Sequence, residues 1–272
     1  MKPGAFDYVR ADALAEATAL LRDHGDDARI LAGGQSLMPL LNMRLATPAV
    51  LVDISRIAAL DYARIERDML RVGAACTQAT VEWRTGLAAE VPLLAQAFPH
   101  ISHFQIRNRG TVCGSIAHAD PSAELPLVLT ALGGEVVLRS ARGARTLAAE
   151  DFFQGLLTTA RNADELIEEV RFPLHRAGQG YGFAEMAQRH GDFALVACAA
   201  VSTPGEIRFA VSGASDRPRL ARWPRLTGTD LDVALNDFAW ALEARDDPHA
   251  SAQYRRHLVR HLGRRAIEEA CR

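Results

Sequence analysis

In RILAGGQSLMPLLNMR a glycine pair follows a short apolar run directly, and an apolar stretch closed by Arg44 follows the pair. A strand ending on Gly33-Gly34 must turn sharply there. Glycine enters positive φ without steric cost and carries no Cβ to hold a ligand away. Successive N–H groups in such a turn form an anion-binding concavity, and Gln35 and Ser36 add an amide and a hydroxyl. The plain alternative is an ordinary strand-to-helix turn, since glycines punctuate loops routinely. The dinucleotide fingerprint GxGxxG does not fit: the third glycine is missing and Pro39 intervenes, although Asp53 ends a strand about 20 residues on.

The patterning around this turn predicts a mixed chain. Ala13 to Leu21 has helical spacing, with Asp12 as N-cap and Gly25 as stop. ARILAGG, AVLVDIS and MLRVGAAC read as strands, Thr80 to Leu87 as the opening of a helix, and VPLLAQAF as a short apolar helix. HISHFQIRNRGTVCGSIAHADPSAE lacks apolar periodicity and reads as loop with irregular strand. AELPLVLTAL is helical, GEVVLRSARGARTLAAEDFF is a hairpin with Gly143 in its turn, and DELIEEVRFP is a strand closed by Pro173. After a boundary at PLHRAGQG come three strand-like runs, GYGFAEMAQR, FALVACAAVS and EIRFAVSGA, then helices near 231–243 and 250–271. Strands and helices mix without strict βαβ alternation, which favours α+β over a doubly wound sheet.

The chain's 272 residues are 49% hydrophobic, enough to core one large domain or two smaller ones. A net charge of −2 argues against a nucleic-acid partner. No apolar run approaches the roughly 18 residues of a membrane span, and MKPGAFDYVRADALAEA lacks the apolar core of a signal peptide. The expectation is a cytoplasmic protein. Cys76, Cys113, Cys198 and Cys271 lie far apart, without the convergent spacing of a zinc or iron–sulfur site.

A second glycine-bearing stretch, IRNRGTVCGSIAHADPSAE, runs from Ile106 to Glu124. Gly110, Gly114 and Ser115 can form another close-approach turn, Thr111, Ser115 and His118 supply hydrogen-bonding groups, and Glu124 can accept from ribose hydroxyls. Arg107 and Arg109 either offset phosphate charge or sit in solvent. His118 and Asp120 do not make a hydrolase: no nucleophile motif accompanies them.

Together, AGGQSLMPLLNMR and IRNRGTVCGSIAHADPSAELPLVLTAL resemble the FAD-binding medium subunit of the molybdenum hydroxylases, the carbon monoxide dehydrogenase and xanthine dehydrogenase family. RHGDFALVACA and SGASDRPRLA resemble the C-terminal domain of the same subunits, so the likeness covers nearly the whole chain. The resemblance implies a PCMH-type FAD-binding domain over residues 1–175, with subdomains of about 1–55 and 56–175, and a smaller α+β C-terminal domain over 176–272. It implies that Leu31, Ala32, Gly33, Gly34, Gln35, Ser36 and Leu37 form one cofactor loop, and Thr111, Cys113, Gly114, Ser115, Ala117 and His118 the other. Glu124 matches a residue on the adenosine ribose and Ile167 an apolar position near the flavin ring.

Two departures stand out. The family reads Gly-Gly where this chain has Cys113-Gly114, so Cys113 must tolerate the backbone angles of a glycine. Some members carry a Lys in the strand of Glu185, a contact that Arg189 or His190 would have to replace here. The implied function is electron transfer: from [2Fe–2S] clusters on a small subunit, through FAD, to an external acceptor, with molybdopterin on a large subunit and the whole a dimer of heterotrimers. No catalytic acid, base or nucleophile is needed, because the flavin carries the redox chemistry. The rival readings are a self-sufficient flavoprotein of this fold and an assembly module that has lost FAD, the latter supported only by Cys113. Trp83, Trp223 and Trp240 read as core or subunit-contact anchors, and the Arg- and His-rich last helix as a solvated face or a dock for an acidic partner.

Overall fold

The computed structural model describes residues 2–272. The first sheet is small and parallel, with Val50–Asp53 between Asp7–Arg10 and Ala28–Leu31. Its central strand is buried throughout, as a parallel strand covered on both faces must be. The helix Leu14–His24 links the two edge strands and ends on Gly25 at φ 52°. Its N-cap is Ala13, without a side-chain bond. Asp12, expected as the cap, instead donates its backbone N–H to Glu16.

The second sheet is antiparallel, in the order Ala63–Glu66, Met69–Gly73, Leu166–Pro173, Glu135–Ser140, Gly143–Ala148. Leu70, Val72, Val136, Leu138, Val170 and Phe172 share its buried face. The opposite face carries Arg71, Glu169, Arg171 and Glu135, joined by ion pairs. This is the period-2 alternation of a sheet with one apolar face. A bulge between Ile167 and Glu169 interrupts the central strand. The expected hairpin is present, and Gly143 follows its turn at φ 142°.

The third sheet holds Gly180–Ala187, Ala194–Ser202, Ile207–Ser212 and Arg219–Trp223 in sequence order, all antiparallel. Ala194–Ser202 is buried at every position, because both faces of this sheet are covered. Ala197, Ala199 and Val201 join the core of the preceding sheets, whereas Val196, Cys198 and Ala200 pack with the helices Gly228–Ala241 and Ala252–Ala270. Gly180 and Gly182 permit that second contact. A Cβ on either would overlap the carbonyl oxygen of Ala270 or Ala266. On the first face lies the fully buried helix Glu124–Leu132. The last helix is less uniformly basic at its surface than its composition indicates: Arg255 is buried and donates to the carbonyls of Leu195 and Gly213.

The stretch expected to be loop with irregular strand carries two short helices instead of strand. Phe104–Arg107 and Val112–His118 are helices, preceded by the 3-10 turn Phe98–His100. Gly114 and Ser115 give the second helix little intrinsic propensity, so it depends on its cap and its packing. Thr111 caps the second, its Oγ1 accepting from Gly114 N–H at 2.9 Å. Arg107 braces the first from below, paired with both carboxylate oxygens of Glu82 and donating to the carbonyls of Ile101 and Ser102. It is therefore neither a phosphate ligand nor a solvated charge.

Candidate functional site

A cleft of about 690 Å³ opens between the first sheet and the helices 104–107 and 112–118, a size ordinary for a cofactor. The segment 32–36 forms one wall. It leaves the carboxyl end of the parallel strand Ala28–Leu31, where open parallel sheets bind their ligands. Gly34 stands at φ 72°, and the side-chain amide of Gln35 closes the turn by donating to the Gly33 carbonyl at 2.9 Å. Among the described residues, no protein acceptor is found for the N–H groups of Gly33, Gly34, Gln35, Ser36 and Leu37. Consecutive unpaired donors of this kind are what an anion requires, and they call for a partner if water is displaced.

The two glycine stretches meet. A Cβ on Gly33 would overlap the carbonyl oxygen of Arg109 and lie 2.7 Å from Gly110 Cα. Gln78 fastens the second stretch from behind: its N–H donates to the Gly110 carbonyl at 2.8 Å and its Nε2 to the Thr111 carbonyl at 3.5 Å. Every residue expected at the cofactor lines this one cleft except Leu31, which lies behind the turn against Gly34. The bulge brings Ile167 to the same wall, a placement bulges commonly achieve.

Cys113 has ordinary helical backbone, not the positive φ that would favour glycine. Its side chain is buried, with Sγ 3.4 Å from the Val72 carbonyl, and burial pushes the thiol well above its usual range. It is a small core residue that leaves the loop geometry intact. Asp53 is unavailable to a ribose. Burial raises its carboxyl, but hydrogen bonds from the Tyr8 hydroxyl and Ser55 outweigh this and hold it below the usual value. Asp120 accepts from Ser122 N–H at 2.8 Å in a turn, and Ala119 ends the helix in the left-handed region.

Glu124 opens the buried helix with its side chain at the cleft. Burial, reinforced by Asp120, lifts its carboxyl to about 7. Neither Arg189 nor His190 replaces a family Lys. Both are exposed, neither lines the cleft, and Arg189 pairs with Asp192. Sequence reasoning did not single out Gln78, Arg29, Arg161 or Phe193, which also line the cleft. Arg161 donates to the carbonyls of Asn162, Ala163 and Glu165, and burial, then the charge of Arg29, holds it below its ordinary value. Nothing in the local sequence marks it as a cleft residue, because its burial beside Arg29 joins two segments far apart in the chain.

Residues 4–175 match the family described as the FAD binding domain in molybdopterin dehydrogenase. Caffeine dehydrogenase subunit beta of Pseudomonas sp. (strain CBB1) is 39% identical, the alignment covering 99% of this chain and 96% of the relative. The carbon monoxide dehydrogenase medium chain of Afipia carboxidovorans is 36% identical over 99% of this chain and 98% of its own length. A chain of quinoline 2-oxidoreductase from Pseudomonas putida 86 superposes with a TM-score of 0.92 at 34% identity, covering 99% of this chain and 98% of that one. Among the described residues no helix is long and apolar enough to cross a membrane. The chain thus belongs to the FAD-binding family of the molybdopterin dehydrogenases and is an oxidoreductase component of that class.

Proposed function

We propose that this chain is the electron-transfer subunit of a three-subunit molybdenum hydroxylase, relaying electrons from a [2Fe–2S] partner through FAD to an external acceptor. The observation that carries the reading is the contact between Gly33 and the Arg109–Gly110 backbone, which joins two glycine loops into one wall of a single cleft. The residues fit the cofactor. Unpaired N–H groups from Gly33 to Leu37 would hold the diphosphate, together with the loop of Thr111, Cys113, Gly114 and Ser115 and the adjoining Ala117 and His118. Glu124 would take the adenosine ribose, and Ile167 would pack beside the flavin ring. A bound FAD supplies the capacity to accept and release electrons singly, whereas the protein binds, orients and shields.

The expected partners are a large molybdopterin subunit and a small [2Fe–2S] subunit, in a cytoplasmic dimer of heterotrimers. Residues 1–175 would form the FAD-binding domain and 176–272 the C-terminal domain. The helical backbone of Cys113 removes the one feature that favoured a module without FAD.

Purified chain should be yellow with a flavin spectrum, and Gly34→Val and Gly114→Val should each abolish FAD retention. Full retention in both variants would refute the site. Addition of a chemically reduced [2Fe–2S] partner should bleach the flavin band; an unchanged band would refute the relay.

A further inference from the structure

Beneath the cleft lies a carboxyl that the cofactor reading leaves unused. Glu185 sits in the strand Gly180–Ala187, on the same sheet face as Tyr181 and Phe183. That face packs against the helix headed by Glu124. Its side chain is only 3% exposed, and Oε2 has no hydrogen-bond partner among the described residues. The nearest base, His100 Nδ1, stands 3.8 Å from Oε1. Burial, then the charges of His190 and Arg265, holds that imidazole below its usual value, which disfavours a cation beside Glu185. The other charge that bears on Glu185 is Glu124, itself flanked by Asp120. A buried carboxylate without a cation is costly, and two acidic groups facing one another cannot both ionise cheaply.

We propose that Glu124 and Glu185 act as a coupled carboxyl pair, with Glu185 the neutral member, so that Glu124 alone presents negative charge to the cleft. Glu185 is thus a positioning residue that acts through Glu124, and this extends the FAD reading of the cleft. The order of ionisation follows from surroundings. Glu124 faces the cleft and titrates near 7, whereas burial and then the Glu124 charge lift Glu185 to about 8. Above that pH a second buried charge forms beside the first. The fold has by then lost the stability that the two raised carboxyls contribute, and the further loss falls on any ligand whose hydroxyls Glu124 accepts. Both pKa values are raised in the folded state, so the associated stability is complete below about 4.5 and disappears as pH rises through 7 to 8.

The test uses the full chain with and without FAD. Thermal melting of the FAD-free chain should fall as pH rises from about 4.5 to about 8 and level off above that, whereas the FAD dissociation constant should rise towards about tenfold per pH unit above 8. Glu185→Gln keeps the shape of the neutral acid and should remove its share of the melting loss, leaving that of Glu124, and flatten the FAD profile above pH 8. Glu124→Gln should move the pH at which the melting loss levels off to a lower value, a coupling that a merely structural Glu185 would not produce. A Glu185→Gln chain that keeps the full wild-type loss between about pH 4.5 and 8 would overturn the proposal, as would an unmoved levelling-off in Glu124→Gln. If the variants do not fold, carboxyl-carbon NMR titration of the wild-type chain decides. Two glutamates titrating near 7 and 8 support the pair, and ordinary values for every glutamate refute it. A chain that shows the titration yet binds no FAD would refute the cofactor reading alone.

Discussion

At the scale of the residue, Gly33 is the most constrained position of the site. Its hydrogen lies where a Cβ would meet backbone atoms of Arg109 and Gly110, and backbone cannot move aside as a flexible side chain can. Gly33→Ala should therefore separate the two loops and release FAD, read as loss of the flavin band from folded protein. Thr111 makes a smaller, separable contribution. Removing its cap in Thr111→Ala should cost about 1 kcal/mol, measured by denaturant unfolding, and Gly114 N–H would lose its acceptor. The glycines were legible in the sequence as a turn that admits a ligand. Their contact was not, since 75 intervening residues separate Gly34 from Gly110 and no local pattern encodes the approach. Cys113 is the converse case: in sequence it reads as a defect in a glycine loop, and the helical backbone makes it an ordinary small core residue.

At the scale of the element, two interfaces hold the site in place. Arg107 supports the helix Phe104–Arg107 through Glu82 and two carbonyls, in a largely buried setting. Arg107→Ala leaves Glu82 unpaired and should destabilise the chain by about 3–5 kcal/mol, the range for a broken buried pair. Chemical denaturation would measure it, and Arg107→Lys should recover only part, because an ammonium cannot reproduce the bidentate fork. On the far side, Gly182 lets the helix Ala252–Ala270 lie against the third sheet. Gly182→Ala should lower the melting temperature while the cleft, built from other elements, still binds FAD. Periodicity located the long strands and helices well. It failed from His100 to Glu124, where helices of one or two turns are too short for periodicity and are fixed by the local Thr111 cap and by a buried ion pair between Arg107 and the distant Glu82.

At the scale of the whole molecule, stability should depend on the ligand. A chain that binds FAD only when folded gains RT ln(1 + [L]/Kd), about 2.7 kcal/mol at a hundredfold excess over Kd. Stripping FAD should lower the melting temperature measurably by calorimetry, and returning it should restore the value. Trp83 and Trp240 are 76% and 60% exposed, so the sequence expectation of subunit-contact anchors has accessible surface to act on. Trp223 instead stacks on Phe209 at 5.5 Å. By itself, the sequence determined the α+β class, the principal strands and helices, and the two glycine stretches with their family. Each of these rests on short-range periodicity or residue type, which a linear chain carries openly. Only the tertiary structure decided that the stretches touch and that Arg107 and Asp53 are already engaged within the protein. It also decided that Glu185 is buried with Oε2 lacking a hydrogen-bond partner among the described residues. Those outcomes depend on which distant segments share a buried space, and burial, which sets the cost of every unpaired charge and donor, is a property of the folded chain.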